Sequence, residues 1–320
     1  MDVRRSEGRP RLRPGDVLLV HGDGAVSWAI RRFDESDVDR AAVVLDGERV
    51  AEISATGPKV RPWDDLVAEG RFAYIRRLPE QVDALPVAER ARALLAEGSG
   101  LVDRRLVALA VLSMTRRLPL ASPSFRTLIR ALLDRASETV DGMVGDGRGW
   151  MPTSHLVYRA FEGCGDPHAS LSIMFPAVHP SPTLPSTSPT SGETTLIGWA
   201  MGRREPAVVP RLSSVEMITD GELDAAIATF AVEDSPQDPF ASSVSARRVP
   251  AEVVSDDDLL VSAVRFRNRL NRFAAAPGPD PWAAFRATTD LVTPADLRYT
   301  PSLITIGSVR PEHRRAMVDG

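Results

Sequence analysis

The sequence is short of the residues that most often carry crosslinks or chemistry. It holds one cysteine, Cys164, so it forms no internal disulfide and an oxidising compartment is not implied. Aromatic residues make up 6% of the chain and lysine occurs once, at Lys59. The five histidines (His21, His155, His168, His179 and His313) show no metal-ligand spacing. No uninterrupted apolar run reaches the about 18–20 residues of a membrane helix. The longest, Leu106 to Met114, is too short and is followed by Arg116-Arg117. The N-terminus is charged but lacks an apolar signal-peptide region. The glycine-rich stretch Gly142 to Gly149 contains no Gly-Lys-Ser/Thr and so is no P-loop. A net charge of −4 demands neither nucleic acid nor an anionic surface as partner. These absences lead us to expect a cytoplasmic protein with no membrane span, no nucleic-acid partner, no cofactor and no metal.

What is present is patterned as α+β. Arginines 4, 5, 9, 11 and 13 make residues 1–12 a basic arm. Val17 to Val20 is a short buried-strand run between Pro14-Gly15 and Gly22-Asp23-Gly24. Val26 to Phe33 is spaced as a short helix. Ala41 to Leu45 and Arg49 to Ile53 flank the turn dipeptide Asp46-Gly47, which predicts a hairpin. Val60 to Pro62 and Phe72 to Leu78 add strands, with a helical turn at Trp63 to Val67. The first 80 residues thus read as an antiparallel sheet. From Val87 to about Val144 leucines recur at helical spacing. Pro152 to Glu162 is a further helix, with Thr153 or Ser154 as its N-cap. A Pro/Ser/Thr-rich linker covers 181–195. Leu196 to Met201 and Ala207 to Val209 are expected as strands. Asp220 is expected to cap one helix, and Ser255-x-x-Asp258 another.

Three segments, in order, resemble permuted papain-like cysteine hydrolases of the NlpC superfamily, in their YiiX-like branch. They are Arg13-Pro14-Gly15-Asp16-Val17-Leu18-Leu19-Val20, then Leu156-Val157-Tyr158-Arg159-Ala160-Phe161, then Val292-Thr293-Pro294-Ala295-Asp296-Leu297. The resemblance implies a permuted papain-like core over 13–180, with a sheet half at 13–80, helices at 85–150 and a nucleophile-type helix at 152–163. A large mixed insertion would occupy 196–290, and the chain would return to the core over 291–310.

In that family a histidine opens a strand, and a cysteine opens the helix. The corresponding positions here are Arg40 and Thr153, while the acid that follows is kept as Glu52. A guanidinium gives up no proton at accessible pH, so Arg40 cannot be the base. Thr153 is read as a helix cap or, alternatively, as a hydroxyl nucleophile lacking an evident base. Arg40 is read as pairing with Glu52, or as offering positive charge to an anionic ligand. Asp16, Ser154 and His155 are further cleft candidates. Cys164 reads as a small buried filler, and Asp256-Asp257-Asp258 as a helix-capping run.

The pattern therefore implies a catalytically silent relative that binds a peptide, a cell-wall fragment or an acyl group. Two alternatives remain. One is a hydrolase or acyltransferase acting on amide, thioester or ester bonds through Thr153 or Ser154. The other is a scaffold that meets a protein partner through the insertion.

Overall fold

The computed structural model describes residues 11–54, 57–79, 82–96, 104–115, 117–118, 120–145, 153–164, 171, 173, 194–201, 219–244, 254–273 and 292–311. A six-stranded antiparallel sheet forms its frame, in spatial order β4-β3-β2-β1-β5-β8. The strands are β1 (Val17–Gly22), β2 (Arg40–Val44), β3 (Arg49–Ser54), β4 (Gly57–Pro62), β5 (Gly70–Arg77) and β8 (Ile304–Val309). A two-residue pair, β6 (Arg117–Leu118) and β7 (Thr194–Thr195), stands apart. The helices are α1 (Ala25–Phe33), α2 (Trp63–Ala68), α3 (Leu85–Ala96), α4 (Arg104–Thr115), α5 (Pro123–Gly145) and α6 (Thr153–Glu162). They continue as α7 (Leu196–Met201), α8 (Asp220–Asp234), α9 (Pro239–Val244), α10 (Asp256–Phe273) and α11 (Pro294–Tyr299). The α+β reading and the early antiparallel sheet therefore hold.

Local chemistry sets these elements. The β2–β3 turn is closed by Asp46, whose carboxylate accepts from the backbone N–H groups of Glu48 and Arg49 at 3.0 and 2.8 Å. Gly15 has φ +81°, and a Cβ there would lie 2.5 Å from the Ala84 carbonyl oxygen, so only glycine fits. Thr219 and Thr293 close capping boxes on α8 and α11.

Alternation along the strands divides the sheet into two apolar faces. Leu18, Val20, Ala42, Val44, Val50, Ala73 and Ile75 point to one, where Leu66 and Val67 of α2 cover them. Val17, Leu19, Ala41, Val43, Ala51 and Ile53 point to the other, under Leu156, Val157, Ala160 and Phe161 of α6 and Val87, Ala88 and Ala91 of α3. A third core is helical: α4, α5, α7, α8, α9 and α10 pack with Trp28, Ala29, Ile30 and Phe33 of α1. Phe125 stands at its centre, 5.9 Å from the Phe33 ring and 5.0 Å from Phe230.

Three sequence readings are revised. Leu196–Met201 is helical, because Leu196 and Ala200, four apart, turn together into the helical core. The cap of α8 is Thr219, whose hydroxyl accepts from the Glu222 N–H, while Asp220 is the first helical residue. Leu12, placed in the basic arm, is 5% exposed and belongs to the α2-side core. The described helices of the 196–290 insertion share one core with α4 and α5 and are tied to α1 by the bidentate Arg32–Asp234 pair, at 2.6 and 2.9 Å. Ala207–Val209, residues 181–193 of the linker and residues 1–10 lie outside the described residues, while the linker's last two residues form β7.

Because Phe125 joins α1 and α5 to a helix of the proposed insertion, Phe125→Ala should cost about 3–5 kcal/mol. It should also leave a single cooperative transition. Urea denaturation followed by circular dichroism and by tryptophan fluorescence checks both points.

Candidate functional site

The sheet separates the residues that the family pattern would bring together. Arg40 lies opposite Val20 in the β1–β2 register, and Glu52 alternates with Val50. Both therefore face the α2 side. The buried side chains of α6, the helix that Thr153 opens, pack on the other side.

On the α2 side the charges form a chain. The buried Glu52 carboxylate, 1% exposed, meets Arg61 of β4 at 2.7 Å. Arg61 also contacts Glu69, just beyond α2, and Glu69 in turn receives Arg40 at 3.0 Å. Arg40 lies 3.9 Å from Asp39 as well. The direct partner of Glu52 is therefore Arg61, and Arg40 reaches Glu52 only through the shared field. The reason lies in the registers. Arg61 on β4 sits diagonally across from Glu52, whereas Arg40 is two residues past the Glu52 partner on β2. Burial raises the Glu52 pKa against the pull of Arg61 and Arg40. The hydrogen bond from Arg61 lowers Glu69 from 4.5 to about 2, with Arg40 adding to it. The contribution of Glu69 to stability is thus present above pH 4.5 and lost as pH falls toward 2.

Asp16 is held in place rather than open to a ligand. Its carboxylate receives Arg77 at 2.7 Å on each oxygen and the Arg13 N–H at 2.8 Å. Ser154 is buried and donates its hydroxyl to the Val292 carbonyl at 2.5 Å, so it ties α6 to the return segment instead of capping the helix. The His155 ring lies 5.8 Å from the Tyr158 ring on α6. Cys164 is partly buried and donates to the Ala160 carbonyl at 3.1 Å, and burial raises its pKa. Asp256 pairs with Arg126 and Asp258 with the Ser255 hydroxyl, as a capping run would. No metal-holding group of three or more His, Cys, Asp or Glu occurs among the described residues.

A different polar cluster lies on the α6 side. His21, Phe72, Tyr74 and Arg76 alternate with Ala73 and Ile75 across β1 and β5 and so share that face. The Nδ1 of His21 is 2.7 Å from the Asp37 carbonyl. A donor there leaves Nε2 as an acceptor. Burial, then Arg31, lowers the His21 pKa, so the ring is neutral at pH 7. The Tyr74 hydroxyl donates to Asp37 at 2.6 Å, and Arg298 of α11 lies 3.9 Å over the Tyr74 ring. Sequence reading reaches only His21 of this cluster, as a histidine in range of Thr153, because the members come from β1, β5, the α1–β2 loop and α11, with no short motif among them. The even spacing of Phe72, Tyr74 and Arg76 was its other visible trace.

An antiparallel sheet with a short helix laid on one face, followed by a return segment, defines an α+β core. No model of a known protein family matches the chain. It is 27% identical over 161 residues to the "Probable lipoprotein peptidase YaeF" of Escherichia coli (strain K12), covering 49% of this chain and 58% of that protein. The chain thus matches little more than half the length of this relative, and the similarity supports a relationship at the level of a peptidase family alone. No helix among the described residues is long and apolar enough to cross a membrane.

Two predictions follow from the charge placement. Arg61→Met leaves Glu52 buried without its partner and should cost about 3–5 kcal/mol. Arg40→Met, which leaves the half-exposed Glu69 still paired with Arg61, should cost about 1 kcal/mol or less. Urea denaturation separates the two. For His21 the folded pKa lies below the unfolded 6.5, so the unfolded state binds more protons between these values. Stability should rise with pH through that window, and His21→Gln should flatten the slope just below pH 6.5.

Proposed function

We propose that this chain is a non-catalytic relative of permuted papain-like hydrolases that acts by binding a ligand. The observation that carries the reading is the position of Arg40: its guanidinium is held by Glu69 on the α2 side of the sheet, while α6 lies on the other side. A guanidinium takes no proton from a hydroxyl, and this one is committed to Glu69. The similar protein is named as a lipoprotein peptidase, so the ligand proposed here is a peptide, a cell-wall fragment or an acyl group. The face under α6 supports this, since it sets aromatic rings beside hydrogen-bonding groups.

A second reading, hydrolysis or acyl transfer through Thr153, draws support from His21. That neutral imidazole has its Nε2 available and lies on the α6 side. Ser154 is the weaker nucleophile of the two, because its hydroxyl is committed to Val292.

Incubation of the purified chain with amide, ester and thioester substrates tests the reading. The expected result is no turnover above background and no acyl adduct by intact mass, with Thr153→Ala indistinguishable from wild type. Turnover that disappears in Thr153→Ala or His21→Gln would overturn it.

A further inference from the structure

One buried cation in this fold has no counter-charge among the described residues. Arg76 is 6% exposed. Its Nη2 donates to the carbonyls of Thr300, at 2.6 Å, and Leu303, and its Nη1 donates to the Thr305 hydroxyl at 3.1 Å. All three acceptors are neutral. Its Nε has no hydrogen-bond partner among the described residues. Burial, then the nearby Arg298, pulls its pKa down to about 10. Removing a guanidinium from water without a carboxylate is costly, and a second guanidinium alongside adds to the cost.

Arg298 is reachable from solvent, with 22% of its side chain exposed. It meets one carboxylate, Asp37, through Nε at a long 3.3 Å. The other oxygen of Asp37 already accepts from Tyr74. The remaining acids of this corner are engaged as well: Asp34 accepts from the Ala295 N–H, and Asp296 from that of Thr293. Of the two guanidinium groups only Arg298 meets a carboxylate among the described residues, the partly exposed Asp37. Beside them the rings of His21, Phe72 and Tyr74 form an aromatic shelf, with centroids 4.8 and 5.2 Å apart in succession.

We propose that this corner is an anion-binding subsite, in which Arg298, backed by Arg76, takes the free carboxylate of a short peptide or N-acyl amino acid. The proposal rests on the ligand-binding reading above. Guanidinium and carboxylate match as planar, bidentate partners, and stacking on Tyr74 fixes the orientation of Arg298. The aromatic shelf would take the apolar side chain next to the carboxylate. An anion placed there supplies the negative charge that Arg76 and Arg298 together lack.

The test uses the full chain with N-acetyl-Ala-Phe and its C-terminal amide, followed by calorimetry. The free acid should bind about tenfold or more tightly than the amide. Arg298→Gln should bring the acid down to the level of the amide, and Arg298→Lys should restore part of the difference. Arg298 is varied because Arg76 also holds the chain fold together. Equal binding of acid and amide, or unchanged acid binding in Arg298→Gln, would overturn the subsite. Acetate titration read on the Arg298 side-chain resonances separates the two claims. A saturable acetate shift without peptide binding keeps the subsite and sinks the ligand reading, and no acetate shift sinks the subsite. Inorganic phosphate competing more strongly than acetate would overturn the carboxylate assignment.

Discussion

Burial of β1 and β2 on both faces is the constraint on which the rest depends. Val17 through Val20 and Ala42 through Val44 are 0% exposed. Strands sealed on both sides leave each residue one face, chosen by parity alone. That choice sends Arg40 and Glu52 toward α2, and His21 and Tyr74 toward α6. A one-residue slip would exchange these sets and bury a guanidinium against Leu156 and Val157, so the register is strongly fixed.

The charges then arrange themselves within each face. Toward α2, Glu52, Arg61, Glu69 and Arg40 alternate in sign along one chain of contacts. The fully buried carboxylate takes the nearest cation, and the more exposed Glu69 serves both arginines. Toward α6, Arg76 fastens the Thr300 and Leu303 carbonyls and so draws α11 and β8 onto β5. Arg76 thus joins the fold to the chemistry of its face, because the clamp that holds the return segment also leaves positive charge beneath Arg298.

The sheet half was legible because its signals are local. Short β-branched runs, an Asp-Gly turn and a glycine that only a tight turn requires each fix a few residues at a time. The cap at Ser255 was equally local. Leu196–Met201 misled because six apolar residues suit a buried strand as well as a short helix, and only contact with the helical core decides between them. The partner of Glu52 was misplaced for a related reason. The hairpin brought Arg40 into view, but β4, whose register delivers Arg61, left only a three-residue apolar trace. The cluster around His21 and Arg298 joins residues 277 positions apart, and long-range assembly of this kind leaves no spacing to read.

The central claim is that the Arg40 position cannot serve the residue that opens α6, whatever side chain it carries. It is tested most directly in Arg40→His/Thr153→Cys, made in a Cys164→Ser background. The readout is the pKa of the introduced thiol, from the pH dependence of iodoacetamide alkylation. The account predicts the same thiol pKa with and without the Arg40→His change, and no hydrolysis of amide or ester substrates. A thiol pKa lowered by a unit or more only when Arg40→His is present would contradict it.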